Sequence, residues 1–405
     1  MTRTVAVVGG GPAGLMAAEV VASAGHDVRV VVFDRMPSVG RKLQLAGRGG
    51  LNLTHTEPLD LFLTRYGTAR ESLEPAIRAF DPAALRAWSG ALGQRAVVGT
   101  SGRVFPEAFR ATPLLRAWIE RLRDLGVELR TGHTWQGWTG VDEGDLTFAP
   151  PHAPFHADAT ILAMGGASWP RTGSDGAWVE PVVGDGIAVA PLRAANAGFD
   201  IAWSSHFRDR FGGQPLKNVA LTSADGTVRG EAMVTTAGLE GGAVYAAGPA
   251  VRRRLDSGKQ TIIDVDLRPD LPERELSRRL AGRRPKDSAT NTLRRAGLTP
   301  TAVALVREAG ELPTEPKALA ARIKKVRLRV MGIRPIDRAI SSAGGIAFDE
   351  IDDAFMLRRR PGTFVAGEML DWEAPTGGYL LQATFSTAVA AAQGTLAWLS
   401  NPHSA

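Results

Sequence analysis

The chain has 405 residues, which is too long for one ordinary hydrophobic core and predicts two or three domains. It contains no cysteine, so disulfides, thiolate nucleophiles and zinc–thiolate sites are excluded. A formal net charge of +6 fits nucleic acid or an acidic membrane surface as a partner, although we favour ordinary solvated faces as its explanation.

The chain begins with a predicted β-α-β unit. A continuous apolar run predicts a buried strand over residues 4–8, helical spacing follows over 12–24, and a second strand is predicted over 27–33. Residues 37–55 form a glycine-rich, basic stretch that predicts a loop, and residues 58–92 have a mostly helical pattern.

Later segments extend the same domain. A helix is predicted over 114–125, and strands are predicted over 127–130 and 159–164. Near the C-terminus, an apolar strand over 364–367 precedes a long helix that opens at Gly378. We therefore expect both ends of the chain to build one domain.

The region between these segments has a different pattern. Short alternating runs between about 190 and 265 predict antiparallel strands, and an Arg-, Leu-, Ala- and Glu-rich stretch from about 270 to 330 predicts helices. The predicted fold class is α/β: a Rossmann-like domain of residues 1–190 and 331–405, an inserted β-rich domain of residues 191–268 and a small helical domain of residues 269–330.

Two apolar stretches do not predict membrane spans. Residues 5–24 are interrupted by Gly9 to Pro12, and residues 379–399 carry several polar side chains, among them Gln382 and Thr384. We expect a cytoplasmic protein that does not insert into a membrane.

The first strand leads directly into a G-x-G-x-x-G motif at the start of a helix. In this pattern Gly9 permits the tight turn, Gly11 lets the backbone approach a pyrophosphate, and Gly14 allows close helix–strand packing. The helix N-terminus offers free N–H groups to phosphates, and Pro12 suits the first helical turn.

Asp34 ends the second strand, twenty residues after Gly14, where an acid binds the adenosine ribose. Together with the glycine motif, it predicts a dinucleotide site. Arg35 would suit the 2′-phosphate of NADP, so the cofactor is FAD or NAD(P) on this evidence alone.

Two further segments favour FAD. Arg41 and Lys42 could place cations near the pyrophosphate, and the stretch from Gly47 to Thr54 supplies a flexible backbone for an isoalloxazine ring, although a solvated basic loop is the alternative. At the other end of the chain, Glu368 follows a strand and could bind ribityl hydroxyls. The helix after Gly378 would direct its positive N-terminus at the flavin N1–C2=O edge.

Other chemistries lack support. No second G-x-G-x-x-G follows a strand, so a separate nicotinamide domain is not expected. His152 and His156 have the spacing of helical metal ligands, but Pro151 and Pro154 forbid a regular helix there. We predict no metal site, and no G-x-S-x-G elbow supports a serine hydrolase.

Together these segments resemble a bacterial family of FAD-binding flavoproteins described as NAD(P)/FAD-dependent, aminoacetone-oxidase-like oxidoreductases. Matching segments run nearly end to end and in the family's order: residues 9–14, 40–42, 47–54, 102–106, 163–170, 342–346, 367–371 and 376–379. The resemblance implies a FAD domain built from both ends of the chain and interrupted by β-rich and helical domains.

The motifs and the resemblance together give a set of predicted cofactor contacts. Its members are Gly9, Gly11, Pro12, Ala13, Gly14, Asp34, Arg35, Arg41, Lys42, Gly47, Arg48, Asn52, Thr54, Ala163, Gly165, Gly367, Glu368, Gly378, Tyr379 and Gln382. The catalytic residue stays unassigned, with Arg48, His55, Arg103 and Tyr379 as candidates beside the flavin.

The chain also departs from the family pattern, which marks a divergent branch. Many relatives carry Glu at the position of Asp34, and Arg-Cys-Asn where this chain has Gly50-Leu51-Asn52. A mechanism that relies on that cysteine cannot operate here.

Three enzymatic hypotheses follow. The leading one is a FAD-dependent oxidoreductase that passes a hydride from NAD(P)H to an organic acceptor or oxygen. The second is reduction of a base in ribosomal RNA, with basic clusters at 252–254, 278–284 and 322–329 as candidate phosphate contacts. The third is an amine oxidase. A non-catalytic flavin-binding regulator is the remaining alternative.

Overall fold

The structure is a computed structural model that describes residues 2–25, 27–140, 144–282 and 288–400. The side chain of Arg48 lies outside what it describes, as do Arg283 and Arg284 of the second basic cluster.

The strands are numbered in chain order. They are β1 (Arg3–Val8), β2 (Val28–Asp34), β3 (Thr54–His55), β4 (Ala96–Val98), β5 (Arg103–Pro106), β6 (Glu128–Thr131), β7 (Trp135–Trp138), β8 (Leu146–Phe148), β9 (Ala159–Leu162), β10 (Val189–Ala195), β11 (Phe199–Asp200), β12 (Pro215–Ser223), β13 (Gly226–Val234), β14 (Gly238–Glu240), β15 (Thr261–Asp266), β16 (Val326–Val330), β17 (Gly332–Ile333), β18 (Ser341–Ile346) and β19 (Thr363–Val365).

The helices are numbered in the same way. They are α1 (Pro12–Ser23), α2 (Arg41–Ala46), α3 (Leu59–Leu63), α4 (Arg70–Ala79), α5 (Pro82–Ala91), α6 (Ala111–Asp124), α7 (Val179–Gly184), α8 (Ser205–Phe211), α9 (Gly242–Asp256), α10 (Glu273–Ala281), α11 (Ala289–Arg295), α12 (Pro300–Glu308), α13 (Pro316–Lys324) and α14 (Tyr379–Ser400).

The chain divides into two compact units, residues 1–193 with 341–405 and residues 194–340. The first unit is built on a five-stranded parallel sheet of order β19-β9-β1-β2-β6. Val5, Ala6 and Val7 of the central strand are fully buried, as a strand covered on both faces requires. The predicted Rossmann-like α/β fold class is confirmed.

Helices α1 and α14 pack against each other within the first unit. Both are rich in alanine, and Ala17, Ala18 and Ala388 are completely buried at 0% exposure, so the two backbones approach closely. The acid in this layer, Glu19, accepts hydrogen bonds from the indoles of Trp88 and Trp118 and forms an ion pair with Arg121. Its partners therefore compensate the burial of the carboxylate.

The second unit contains a seven-stranded sheet of order β16-β15-β12-β13-β14-β11-β17. Residues from this sheet and from helices α9 to α13 form one hydrophobic core, which includes Leu221, Ile263, Leu276 and Val306. We predicted separate β-rich and helical domains over 191–268 and 269–330. They share one unit because neither the sheet nor the helices bury their apolar residues alone.

The predicted loop over 37–55 differs locally from the structure. Residues 41–46 form the short helix α2, which starts after Gly40 in a left-handed conformation with φ of 71°. Leu43 is buried at 2% exposure, and this burial stabilises a turn that the glycine-rich sequence did not predict.

Candidate functional site

The carboxyl ends of β1 and β9 lie side by side at one edge of the parallel sheet. Gly9 follows β1 with φ of 111°, and a Cβ at this position would lie 2.3 Å from the carbonyl oxygen of Ala163. Only glycine fits this turn, because a side chain would be both strained and in contact with backbone. Open α/β sheets bind their ligands at this edge.

Gly14 and Gly11 serve different purposes in the glycine motif. A Cβ on Gly14 would lie 1.8 Å from the carbonyl oxygen of Gly9, so Gly14 is required for the packing of α1 on the turn. A Cβ on Gly11 would meet nothing within 4 Å. Gly11 has an ordinary φ of −82° and caps α1 without a side-chain hydrogen bond. Helix α1 therefore presents N–H groups towards open space, which is what a bound pyrophosphate needs.

The two ends of the chain meet at this turn. Gly367 follows β19 with φ of 76°, and a Cβ there would lie 2.8 Å from the Cβ of Ala13 in the first turn of α1. The backbone N–H of Gly367 donates to the hydroxyl of Thr387 in α14. The C-terminal Gly-Glu segment is therefore fixed beside the N-terminal motif.

Asp34 holds the glycine turn in place. Its carboxylate accepts hydrogen bonds from the backbone N–H of Gly10 at 2.8 Å and from that of Met36 at 2.7 Å. Burial raises the pKa of this carboxyl, and the two N–H donors only partly offset that effect. The neighbouring Arg35 forms an ion pair with Asp175.

Lys42 and Glu368 link α2 to the segment after β19. The Lys42 Nζ lies 2.7 Å from Glu368 Oε2. The other carboxylate oxygen of Glu368 accepts from the backbone N–H of Ser342 at 2.7 Å. The Cβ position of Gly165 is 3.9 Å from Glu368 Oε2, so Gly165 also borders this pair. Four distant parts of the chain meet here at one edge of the sheet.

Four buried polar atoms have no partner among the described residues. Those of Trp135 and Asp264 belong to other parts of the chain, and the remaining two are the Nε of Arg41 and the side-chain oxygen Oδ1 of Asn52. A buried polar group without a hydrogen bond costs free energy and calls for an explanation. Both residues lie in segments that were predicted to contact the cofactor.

The start of α14 is locked against β3. A Cβ on Gly378, which has φ of 102°, would lie 2.4 Å from backbone atoms of Thr54. The hydroxyl of Thr54 donates to the amide oxygen of Gln382 at 2.7 Å, and the Gln382 amide nitrogen donates to the carbonyl of Phe80 and to Ser386. The side chain of Gln382 is therefore engaged inside the core.

Tyr379 anchors the first turn of α14 through residues that sequence reasoning missed. Its hydroxyl donates to Glu57 at 2.6 Å, and its backbone carbonyl accepts from the hydroxyl of Tyr66 at 2.8 Å. Arg65 binds the same Glu57 through two hydrogen bonds, of 3.0 and 2.7 Å. A lone glutamate in a loop gives no sequence signal for this arrangement.

Opposing effects set the ionisation of this network. Burial acts to raise the pKa of Glu57, but the hydrogen bonds from Arg65 and Tyr379 outweigh it and hold that pKa below its ordinary value of 4.5. Burial and the hydrogen bond to Glu57 raise the pKa of Tyr379. At neutral pH the network thus holds an anionic carboxylate and a protonated phenol.

His55 stacks on Tyr379, with ring centroids 5.6 Å apart. Its Nδ1 accepts from the backbone N–H of Glu57, and its Nε2 lies 2.9 Å from the carbonyl of Ser101. These partners occupy both ring nitrogens, with Nδ1 as the acceptor and Nε2 as the donor. The adjacent Arg103 is exposed, and its guanidinium has no hydrogen bond or ion pair to the described residues.

The sequence profile described as the HI0933-like protein Rossmann domain matches residues 3–394. The chain belongs to this family. The predicted resemblance to a family of FAD-binding flavoproteins, as a divergent branch of it, is confirmed. The chain is a FAD-dependent oxidoreductase.

Two curated relatives of this HI0933-like protein match it over nearly their whole length. A 3-dehydro-bile acid delta(4,6)-reductase of Clostridium scindens is 26% identical over 403 residues, covering 95% of this chain and 96% of the relative. A ribosomal RNA dihydrouridine synthase of Escherichia coli is 24% identical over 408 residues, covering 96% and 97%.

Solved structures share the fold. A 3-ketosteroid delta1-dehydrogenase of Sterolibacterium denitrificans aligns with a TM-score of 0.53 at 12% identity, over 98% of this chain and all of that one. A flavocytochrome c3 fumarate reductase aligns with a TM-score of 0.50 at 15% identity, over 99% of this chain and 79% of that one. These similarities support the α/β flavoprotein fold alone.

The residues present in this HI0933-like protein fit FAD. The open space above Gly11, the free end of α1 and the unpartnered atoms of Arg41 and Asn52 lie in the segments that a dinucleotide would occupy. Gly47 fits less directly, because a Cβ there would lie 2.6 Å from the Cβ of Ala111 and packing alone explains it. The individual cofactor contacts stay predictions.

The described residues offer neither a cluster of metal ligands nor a membrane-spanning helix. No group of three or more His, Asp or Glu side chains in this part of the chain is arranged to hold a metal ion. No helix among the same residues is long and apolar enough to cross a membrane.

Proposed function

We propose that this flavoprotein transfers a hydride from NAD(P)H through FAD to an organic acceptor. One observation carries the proposal: the glycine turn after β1 and the Gly-Glu segment after β19 are in contact, through Ala13 and Gly367, at the carboxyl edge of the sheet. A NAD(P) enzyme of the simple Rossmann type has no need for this second, C-terminal element.

The residues at this edge divide the work of holding the cofactor. The open N-terminus of α1 and Arg41 would hold the pyrophosphate, and Asp34 would hold the adenosine ribose. Lys42 already pairs with Glu368, so the pair would act together beside the ribityl chain. Because the Lys42–Glu368 pair has no net charge, neither half-buried side chain carries an uncompensated charge.

The chemistry supplied by bound FAD is acceptance of a hydride from NAD(P)H and its delivery to the acceptor. The chain contributes electrostatics. Helix α14 has 22 residues and no acid in its first turn, and the nearby carboxylate of Glu57 is paired with Arg65, so the N-terminus of the helix keeps its partial positive charge. Two contacts hold this N-terminus in its orientation: Tyr379 is hydrogen-bonded to Glu57, and Gly378 packs on the backbone of Thr54.

For the acceptor we propose an unsaturated ring. The names of the two curated relatives, a delta(4,6)-reductase and a dihydrouridine synthase, share the addition of hydrogen to a ring double bond. Hydride delivered to one carbon of such a bond must be accompanied by a proton on the other, and water or a neighbouring acid supplies it.

Anaerobic mixing of the holoenzyme with NADH and with NADPH tests the proposal. We expect at least one nucleotide to bleach the flavin absorbance at a rate that saturates with nucleotide concentration. Dithionite is the control for a flavin that can be reduced at all. Bleaching by dithionite but by neither nucleotide would refute the nucleotide-fed reaction and favour an oxidase fed by its own substrate, such as an amine.

A second candidate is reduction of a ribosomal RNA base. The dihydrouridine synthase among the relatives favours it, and so does strand β16, in which exposed arginines alternate with buried apolar residues. Arg327 and Arg329 are exposed on one face of this strand. Many cations of the basic clusters are engaged within the chain, however: Arg278 and Arg279 bind Glu275, and Arg253 pairs with Asp225.

RNA binding measured across a salt series decides between the two. A steep loss of affinity with salt, absent for a neutral polymer, would support the RNA reaction. Retention no better than that of the neutral control would remove it.

A further inference from the structure

A small three-stranded sheet of order β3-β5-β4 lies next to the start of α14 in the first unit. Thr54 and Val104 face each other across β3 and β5 and are both fully buried. Because side chains alternate along strands, their neighbours His55 and Arg103 point to the opposite face. Phe105 is on that outer face as well, two residues after Arg103.

The outer face continues into an exposed aromatic pair. Phe109 is 52% exposed, and its ring centroid lies 5.3 Å from that of Phe105. A Cβ on Gly50 would lie 3.4 Å from the Phe105 ring, so the loop predicted to face the flavin borders the same pair. The aromatic surface is therefore continuous with the proposed flavin site.

The backbone of Phe109 is in the left-handed region, with φ of 54°. For a bulky residue this conformation is strained, and the ring gains little burial in return. The turn itself is well held, since Phe109 donates to the carbonyl of Pro106 and accepts from the N–H of Leu51. Glycine or asparagine would suit the turn better, so the fold alone does not explain a phenylalanine here.

Arg103 adds a positive charge to the aromatic pair. Within the described residues its guanidinium has no acidic partner. The nearby carboxylate of Glu57 is already bound by Arg65 and Tyr379. The Cβ position of Gly377 is 3.0 Å from the Tyr379 ring and 4.0 Å from the Arg103 Nε, so the cation lies beside the turn that leads into α14. A planar guanidinium of this kind suits a carboxylate or sulfonate.

From this arrangement we propose that the outer face formed by His55, Arg103, Phe105 and Phe109 is the substrate-binding wall, and that it selects a flat, apolar ring compound carrying an anionic group. The aromatic pair binds the ring system and Arg103 binds the anion. This substrate class rests on the proposed function, because it assumes that the acceptor approaches the flavin past Gly50 and Gly377.

Calorimetric titration of the holoenzyme with 1-anilinonaphthalene-8-sulfonate, an aromatic anion, tests the wall. Its neutral counterpart, N-phenyl-1-naphthylamine, has the same rings without the sulfonate. We expect Arg103→Gln to weaken binding of the anion about tenfold and to leave the neutral compound within twofold. Arg116→Gln, a change of another exposed arginine in the same unit, should alter neither.

The variant Phe109→Asn tests whether the Phe109 ring binds the ligand or stabilises the fold. Asparagine tolerates a positive φ, so we expect the midpoint of thermal unfolding to stay level or rise while both compounds bind about tenfold more weakly. A fall in the midpoint would show that the ring is structural and would overturn the proposal. Equal affinity of wild-type protein and Arg103→Gln for the anion would overturn it too. Neither titration depends on reduction by NADH or NADPH, so failure of the proposed function is detected separately.

Discussion

The candidate cofactor site of the first unit and the basic clusters of the second unit differ in how fully their polar groups are paired. In the candidate cofactor site, buried polar atoms of Arg41 and Asn52 are left without partners among the described residues. In the clusters, conspicuous arginines are already paired with neighbouring acids such as Glu275 and Asp225. A buried polar atom without a hydrogen-bond partner therefore points to a ligand more reliably than an abundance of charge does.

The same contrast applies to the glycines of the first motif. Gly14 is needed by the fold, whereas a Cβ on Gly11 would meet nothing within 4 Å, so we attribute the glycine there to the predicted cofactor. Two glycines three positions apart are thus expected to contribute differently, Gly14 to the stability of the fold and Gly11 to cofactor binding.

We expect the largest loss of stability for Gly14→Ala, because the added methyl group would lie 1.8 Å from the backbone oxygen of Gly9. We expect the free energy of unfolding to fall by about 3 kcal/mol or more, because backbone cannot yield as a side chain can. Urea titration of the apoprotein measures it. Gly11→Ala is the matched control and should leave that free energy unchanged while weakening FAD at least tenfold. Equal losses of stability in the two variants would contradict the division of roles.

A smaller effect is expected for Glu57→Gln, which removes the anion between Arg65 and Tyr379. Glu57 is 8% exposed but Arg65 is 40% exposed, so screening limits the loss to about 1–2 kcal/mol at neutral pH. Because folding lowers the pKa of Glu57, its contribution is complete above the unfolded value of 4.5 and is lost as the pH falls through the folded pKa.

The measurement for Glu57 is stability as a function of pH. The wild type should lose more free energy of unfolding than Glu57→Gln as the pH falls below 4.5, so the two curves converge in acid. Parallel curves would mean that the ion pair seen in the structure contributes nothing in solution.

The smallest effect concerns the second unit. Asp264 lies 3.3 Å from Lys325 and 3.6 Å from Arg327, so Asp264→Asn releases both cations. We expect affinity for non-specific RNA to rise a few-fold, with the salt slope steeper by about one. Glu128→Gln releases Arg29 and Arg130 in the first unit and is the matched control. No difference between the two variants would mean that the second unit has no special relation to RNA.

The sequence predicted the strand, turn and helix of the glycine motif well because their signals are local. Gly9, Gly11 and Gly14 follow a strand at a fixed spacing, and each has a backbone reason that the spacing alone implies. Asp34 was placed by the same logic, although the structure shows it bound to Gly10 and Met36 as well. Gln382 was expected near the cofactor, but its side chain is engaged in the core.

What the sequence could not predict depends on long-range contacts. Glu57 reaches Tyr379 across more than three hundred residues, and no local pattern marks the pair. The same holds for Lys42 and Glu368. The helical segment 269–330 was separated from the β-rich segment because its periodicity changes, whereas the shared core becomes visible only when the chain is folded.

Titration of the apoprotein with FAD and with FMN shows whether both ends of the chain hold one dinucleotide flavin. We expect one FAD bound per chain and at least a hundredfold weaker binding of FMN, which lacks the adenosine and the second phosphate that α1 and Asp34 would hold. FMN binding as tightly as FAD, or no flavin binding at all, would contradict this expectation.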